Sequence, residues 1–348
     1  MVFNLLAALR DDRDVRVAAL ALNEGVLTSR LRDAGIEVHV VPEATHSFPM
    51  VFMKALKILN GKEVKVIHSH RYKENLLAVL LARPNKVRRL VTTLHGLGER
   101  CLGGENGKHA PGVKRHIDYF LLKHHFARVV AVSNEMANAL IQKYGFRQEQ
   151  LDVIHNGINT EAAVFSPSHS DDHRFHVGTA GRLVPVKDFR LFLEVAARLK
   201  AQCGMVRFSI LGDGPLKGEL RRVARDLRIE DSVEFLPFRE DPMGYYRSLD
   251  LFLNTSLHEG SPISILEAMG CGKVVVAPRV GGISEIIEHG KHGLLADSRE
   301  PSEFARLCMK LIGDKELMRH LGRSSARRVR ASFDSLTMAN SYKRLYRQ

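Results

Sequence analysis

Short apolar runs alternate with amphipathic segments along almost the whole of this 348-residue chain. Runs at residues 15–22, 36–41, 64–68, 89–94, 129–132 and 153–155 read as strands, and so do 176–180, 207–211, 232–236, 249–254 and 274–277. Between them apolar residues return every three or four positions, as at 3–9, 75–82, 135–144, 188–200, 216–227, 282–288 and 301–312, the period of a helix with one buried face. Such alternation predicts parallel sheets covered by helices, an α/β fold of the doubly wound kind. The rhythm lapses at 160–174, where Ser, Pro, His and Asp accumulate as in a linker. Two domains are therefore expected, over 1–157 and 158–334. Ligands of such sheets bind outside the carboxyl ends of the strands, and the cleft between two such domains is the expected site. The chain opens on the helix at 3–9, so the strand and loop that normally begin a doubly wound domain are expected to be missing.

One junction carries chemistry. Between the run at 249–254 and the helix at 263–269, Glu259 and Glu267 stand eight residues apart. Ser261 is placed to cap that helix and Pro262 to occupy its first position. Glu259 then lies at the mouth of the loop and Glu267 about two turns into the helix. A helix start attracts a phosphate, and carboxylates accept hydrogen bonds from hydroxyls. A ligand with phosphate in the middle and a sugar at each end, such as a nucleotide sugar, satisfies both.

Other strand ends carry related features. Gly181-Arg182, with Lys187 five residues on, offers two cations that could clamp a diphosphate without a metal. Gly212-Asp213-Gly214-Pro215 and Gly281-Gly282, the latter followed by Glu285, give flexible loops after two further strands. Taken alone, the cations read rather as a surface pair, and the glycine loops serve equally as tight turns or simple connections. Together they line one edge of one sheet with cations, glycines, a helix start and two carboxylates.

Net charge is +13. Residues 71–128 hold twelve Lys/Arg against four Asp/Glu, a local excess of eight, and Arg319, Arg323, Arg327, Arg328 and Arg330 form a second cluster. Neither cluster is interleaved with exposed-looking aromatics or carries a recognition motif, which argues against nucleic acid. An anionic membrane surface or a lipid-phosphate acceptor is the preferred partner, against a plain solvated basic surface. Cys101, Cys203, Cys271 and Cys308 show neither pairing nor metal-ligand spacing and read as reduced structural thiols. No apolar run approaches the roughly 20 residues that span a bilayer. Residues 1–10 lack the basic flank of a secretory signal, so a cytoplasmic place, peripheral on the inner face of the membrane if lipid is the partner, is expected.

The ordered set Gly181-Arg182, Lys187, Gly212-Asp213-Gly214-Pro215, Glu259-(seven residues)-Glu267 and Val280-Gly281-Gly282 resembles that of the retaining glycosyltransferases of family 4, and the resemblance covers nearly the whole chain. It implies the GT-B architecture of two tandem Rossmann-like domains, with the last helix (335–348) crossing back onto the first. It implies that Gly181, Arg182 and Lys187 hold the donor diphosphate, with the two cations replacing a divalent metal and no cofactor. Glu259 would contact the transferred sugar, Glu267 the ribose, the amides of Ile263 and Ser264 the phosphates, and Phe238 and Arg239 the base. His95, in Thr92-Thr-Leu-His95, would stand beside the reacting sugar. His68 and His70 could position the acceptor, a glycan or lipid-linked molecule of cell-surface polysaccharide synthesis, and read equally as structural; on residues alone His95 reads rather as a structural hydrogen-bonder, a preference the resemblance reverses. Two rival readings stay open: a nucleotide-sugar 2-epimerase of the same architecture, and an N-terminally truncated, weakly active or binding-only remnant.

Overall fold

The computed structural model describes residues 1–96, 113–166 and 174–348. Two units divide it: Met1–Gly157 with Ser335–Gln348, and Ile158–Asp334.

The first unit runs α1 (Val2–Leu9), β1 (Ala18–Ala21), α2 (Val26–Asp33), β2 (Glu37–Val40), α3 (Phe48–Leu59), β3 (Val66–Ser69), α4 (Tyr72–Ala82), β4 (Arg89–Leu94), α5 (Val113–His125), β5 (Arg128–Ala131), α6 (Asn134–Tyr144) and β6 (Leu151–Val153). All its strands pair in parallel, as a four-stranded sheet β3-β4-β5-β6 and a separate pair β1-β2. As expected, a helix comes first, and among the described residues no strand joins β1 to β3. Local signals hold: Ser133 caps α6 by accepting from the Met136 amide, and Gly145 ends it in the left-handed region. The final helix of the chain, Ser335–Arg347, belongs to this unit. Its Met338, Tyr342 and Leu345 share a core with Leu5, Leu9 and Ile154, and its Lys343 pairs with Asp12 and Asp14.

The second unit runs β7 (Phe175–Ala180), α7 (Phe189–Gln202), β8 (Val206–Leu211), α8 (Lys217–Asp226), β9 (Val233–Leu236), α9 (Met243–Ser248), β10 (Leu251–Leu253), α10 (Ile263–Gly270), β11 (Val274–Pro278), α11 (Ile283–Ile286), β12 (Leu294–Ala296), α12 (Pro301–Gly313) and α13 (Lys315–Ser332), leaving Ser335–Arg347 as α14. Its six parallel strands lie in the order β12-β11-β10-β7-β8-β9. The chain winds outward from β7 through β8 to β9, then returns to the other side of β7 to lay down β10, β11 and β12. The direction reverses between β7 and β10, and that switch point opens a crevice at the strands' carboxyl ends. Apolar side chains on both faces of the sheet make two cores, one with α7 and α12, the other with α9, α10 and α11.

Part of the expected linker is packed rather than free. Ala163 is fully buried, Phe165 lies against Gly272, and the Thr160 hydroxyl donates to Asp334 at 2.5 Å, all within the second unit. Residues 167–173 and Cys101 lie outside the described residues. Cys203, Cys271 and Cys308 are free thiols, the last two buried.

One core group makes the second unit acid-sensitive. His176 on β7 is buried, with Nδ1 donating to the Ser248 carbonyl at 2.9 Å and Nε2 accepting from Ser209 Oγ at 2.7 Å. Burial first, and the Arg207 charge second, push its pKa down to about 4. The unfolded chain, with an ordinary value near 6.5, takes up that proton first. Stability is therefore complete above about pH 6.5 and falls as pH drops toward 4, by roughly 3 kcal/mol from this group. Urea unfolding at about pH 7 and about pH 4.5 should show a shallower loss in His176→Gln than in the parent; equal slopes would remove His176 as the cause.

Candidate active site

Strand β7 ends at Ala180, and the chain turns through Gly181 and Arg182 into a short 3-10 turn, Pro185–Lys187. Strand β10 ends at Leu253 and continues through Asn254, Thr255 and Ser256 to Glu259. The two loops are tied across the switch point. The Leu257 amide donates to the Val186 carbonyl at 2.8 Å, and Thr255 Oγ1 donates to the Lys187 carbonyl at 3.2 Å. At their junction Lys187 Nζ donates to Glu259 Oε1 at 2.5 Å, and Ser256 Oγ donates to the same oxygen at 2.7 Å. The Glu259 side chain is 10% exposed and that of Lys187 23%, so water screens this pair little. Arg182 is exposed and pairs with no described carboxylate. The arrangement is one charge pair, with one available guanidinium five residues earlier on the loop that follows β7.

Two glycines let neighbouring loops close on this pair. A Cβ on Gly212 would lie 2.1 Å from the Gly181 carbonyl oxygen. A Cβ on Gly281 would lie 2.0 Å from the Glu259 carbonyl oxygen, and Gly281 has φ +55°. The Gly282 amide donates to that same carbonyl at 2.9 Å. Gly281→Ala therefore adds a clash at Glu259 to the backbone strain of about 1–2 kcal/mol for a left-handed non-glycine residue. Gly290, with φ +78° and open space around it, is the control. Gly290→Ala should show the strain alone, while Gly281→Ala should lose more stability and most activity; equal behaviour in thermal unfolding and turnover would exclude the contact at Glu259.

Helix α10 starts one residue later than the capping pattern suggested. Pro262, not Ser261, is the N-cap, and no side chain caps the first turn, so the first-turn amides, those of Ile263 and Ser264 included, carry the helix's partial positive charge. Glu267 is the fifth residue of α10, just over one turn in rather than two, because the helix begins only at Ile263. It shares a hydrogen bond with the buried Tyr246 hydroxyl. Phe238 and Arg239 are both exposed beyond β9, the edge strand on the other side of β7.

Sequence reasoning missed one residue. Arg299, just before α12, reaches Asp188 Oδ2 at 2.5 Å, the Ser256 carbonyl at 3.0 Å and the Thr255 carbonyl at 2.8 Å. Asp188 in turn caps α7 through the Leu191 amide. One guanidinium thus holds the ends of both loops that carry Lys187 and Glu259. Only its distance from them in sequence hid it.

In the first unit, the carboxyl ends of the neighbouring strands β3 and β4 gather His68, His70 and His95. The rings of His68 and His70 lie 4.4 Å apart and those of His70 and His95 5.3 Å, with His70 Nδ1 3.2 Å from His95 Nε2. Both nitrogens of His68 are engaged, Nδ1 by the Tyr346 hydroxyl at 2.7 Å and Nε2 by Thr93 Oγ1 at 2.8 Å. Burial, with His95 nearby, pushes its pKa down to about 3. Burial and the adjacent His68 and His95 hold His70 well below the usual range. His68 is thus a fixed, neutral support; His95 is the exposed member of the three.

Two family models match the chain. Glycosyltransferase Family 4 matches residues 1–162, and Glycosyl transferases group 1 matches residues 174–314. The chain is a family 4, group 1 glycosyltransferase. A D-inositol 3-phosphate glycosyltransferase of Pseudarthrobacter chlorophenolicus is 29% identical over 290 residues, covering 79% of this chain and 68% of that protein. An N,N'-diacetylbacillosaminyl-diphospho-undecaprenol alpha-1,3-N-acetylgalactosaminyltransferase of Campylobacter jejuni is 25% identical over 98% of this chain and 93% of its own length. Anabaena HepE, crystallised with UDP and glucose, superposes with a TM-score of 0.84 at 24% identity, covering 100% of this chain and 95% of that one. At that identity it establishes the shared fold, two Rossmann-like units of the GT-B class. The matches lend the 2-epimerase reading no support. Among the described residues of this glycosyltransferase, no helix is long and apolar enough to cross a membrane.

Proposed function

We propose that this glycosyltransferase takes a sugar from a nucleoside-diphosphate sugar and passes it, with retention at the anomeric carbon and without a metal, to a glycan or lipid-linked acceptor of cell-surface polysaccharide synthesis. The observation that carries the reading is the Lys187–Glu259 pair at the β7/β10 switch point, with Arg182 unpaired on the same loop as Lys187. HepE, which shares the fold, binds UDP and glucose, and the Campylobacter relative acts on an undecaprenyl-diphosphate-linked sugar.

In the proposed mechanism Arg182 and Lys187 face the diphosphate, and the first-turn amides of α10 take a further phosphate oxygen. Glu259 and Glu267 accept from sugar hydroxyls, Glu267 from the ribose, while Phe238 and Arg239 border the base. As the bond from C1 to the diphosphate oxygen breaks, the departing negative charge falls on Arg182 and Lys187. The acceptor hydroxyl attacks C1 on the same face and gives its proton to that diphosphate oxygen. Positioning and charge stabilisation then supply the rate gain. His95 serves the sugar from the first unit, held in place by His70 and His68.

The test is transfer from UDP-sugars to a polyprenyl-diphosphate-linked sugar, with the product's anomeric configuration read by proton NMR and the rate repeated in EDTA. Inversion would refute retention, and loss of rate restored by a divalent cation would refute metal independence. Donor binding without transfer to any acceptor would favour a binding-only remnant.

A further inference from the structure

Helix α13 carries a feature that sugar transfer does not use. Arg319, Arg323, Arg327 and Arg330 recur at helical spacing along one exposed stripe, while Leu321, Gly322, Ser325 and Val329 are buried on the other face. The four guanidiniums line a cavity of about 510 Å³ with Phe165 and Ala326. Glu316 and His320 lie along the same cavity, yet none of the four arginines forms an ion pair with a described carboxylate. Helix α13 holds six Lys/Arg and one Glu, and like charges three and four residues apart repel along a helix. A multiply charged anion seated among them would relieve that repulsion.

The cavity is separate from the donor loops. Its Phe165 wall packs on Gly272, which precedes the amino end of β11, and Gly322 of α13 abuts the Gly272 carbonyl. Arg182, Lys187 and Glu259 follow the carboxyl ends of β7 and β10, at the opposite edge of the same parallel sheet.

We propose that this cavity is a second phosphate site, taking a diphosphate or phosphodiester group between the guanidinium forks of Arg319, Arg323, Arg327 and Arg330. Planar guanidiniums bind phosphate oxygens in pairs, and neighbouring turns of one helix let two or more of them share one group. A lipid headgroup and a free phosphate compound present the same chemistry, so the test has two arms. In the first, inorganic pyrophosphate is titrated calorimetrically into the parent, Arg182→Ala and Arg323→Gln/Arg327→Gln. Arg182→Ala should keep one binding event, and the double variant should weaken that event by at least about tenfold while leaving transfer to a water-soluble acceptor unchanged. Loss of the Arg182-dependent event alone concerns the donor site and is read separately. In the second arm the same proteins are floated with vesicles of phosphatidylcholine, with and without phosphatidylglycerol. Retention on anionic vesicles that the double variant loses assigns the site to a lipid headgroup. Pyrophosphate binding without vesicle retention assigns it to a soluble phosphate. A double variant that matches the parent in both arms overturns the site.

Discussion

Arg182→Ala is expected to fold normally and to transfer sugar about a hundred- to a thousandfold more slowly than the parent. Arg182 is exposed and holds no described carboxylate, so its removal leaves no buried partner unsatisfied and thermal unfolding should hardly move. In the proposed mechanism Arg182 meets a diphosphate that is already charged in the bound donor and gains a further charge as the bond to the sugar breaks. The loss should therefore appear in KM as well as kcat, with the larger part in kcat. Arg182→Lys should recover part of it, because a point charge replaces the fork without its paired geometry. Near-normal turnover in Arg182→Ala would remove the residue from the reaction.

Lys187→Met is expected to behave differently, because Lys187 is already paired. Removing the ammonium strands a Glu259 carboxylate that is 10% exposed, with only the Ser256 hydroxyl left from its two side-chain donors. Breaking a buried pair at one end costs about 3 kcal/mol or more. The variant should therefore lose both stability and activity. A second substitution separates the two losses. Lys187→Met/Glu259→Leu removes the stranded charge and should regain most of the stability while remaining inactive. If Lys187→Met unfolded within about 0.5 kcal/mol of the parent, water would be screening the pair and the site would be looser than its geometry states.

Much of the second unit was readable because its strands are buried on both faces. The run at 274–277 became β11 with one added residue, and 207–211 became β8 in the same way. In the first unit β4 matched its reading residue for residue, while β1 shrank from 15–22 to Ala18–Ala21, where pairing with β2 alone supports it. Strand β12 escaped notice because three residues, Leu294–Ala296, make no period. Helix α13 also escaped, since its buried stripe includes Gly322 and Ser325, which do not register as apolar. At the site, spacing brought Arg182, Lys187 and Glu259 to the loops after strands and Glu267 into the helix that follows. It could not reveal that Lys187 and Glu259 bind each other, or that Arg299 clasps both loops, because those contacts span 72, 111 and 44 positions. Such partners are set by strand order, and strand order here reverses between β7 and β10.

The placement of α14 has a consequence for biosynthesis. The second unit is one continuous stretch, Ile158–Asp334, whereas the first is completed only by Ser335–Gln348. Domains fold as units while the chain emerges, so the order of maturation is reversed here: the later stretch can finish while the earlier one waits for α14. Until Tyr342 and Tyr346 arrive, Thr93 and His68 lack their hydroxyl partners, and the histidine cluster has no fixed support. The histidine cluster at the ends of β3 and β4 is therefore completed only once α14 has emerged and packed.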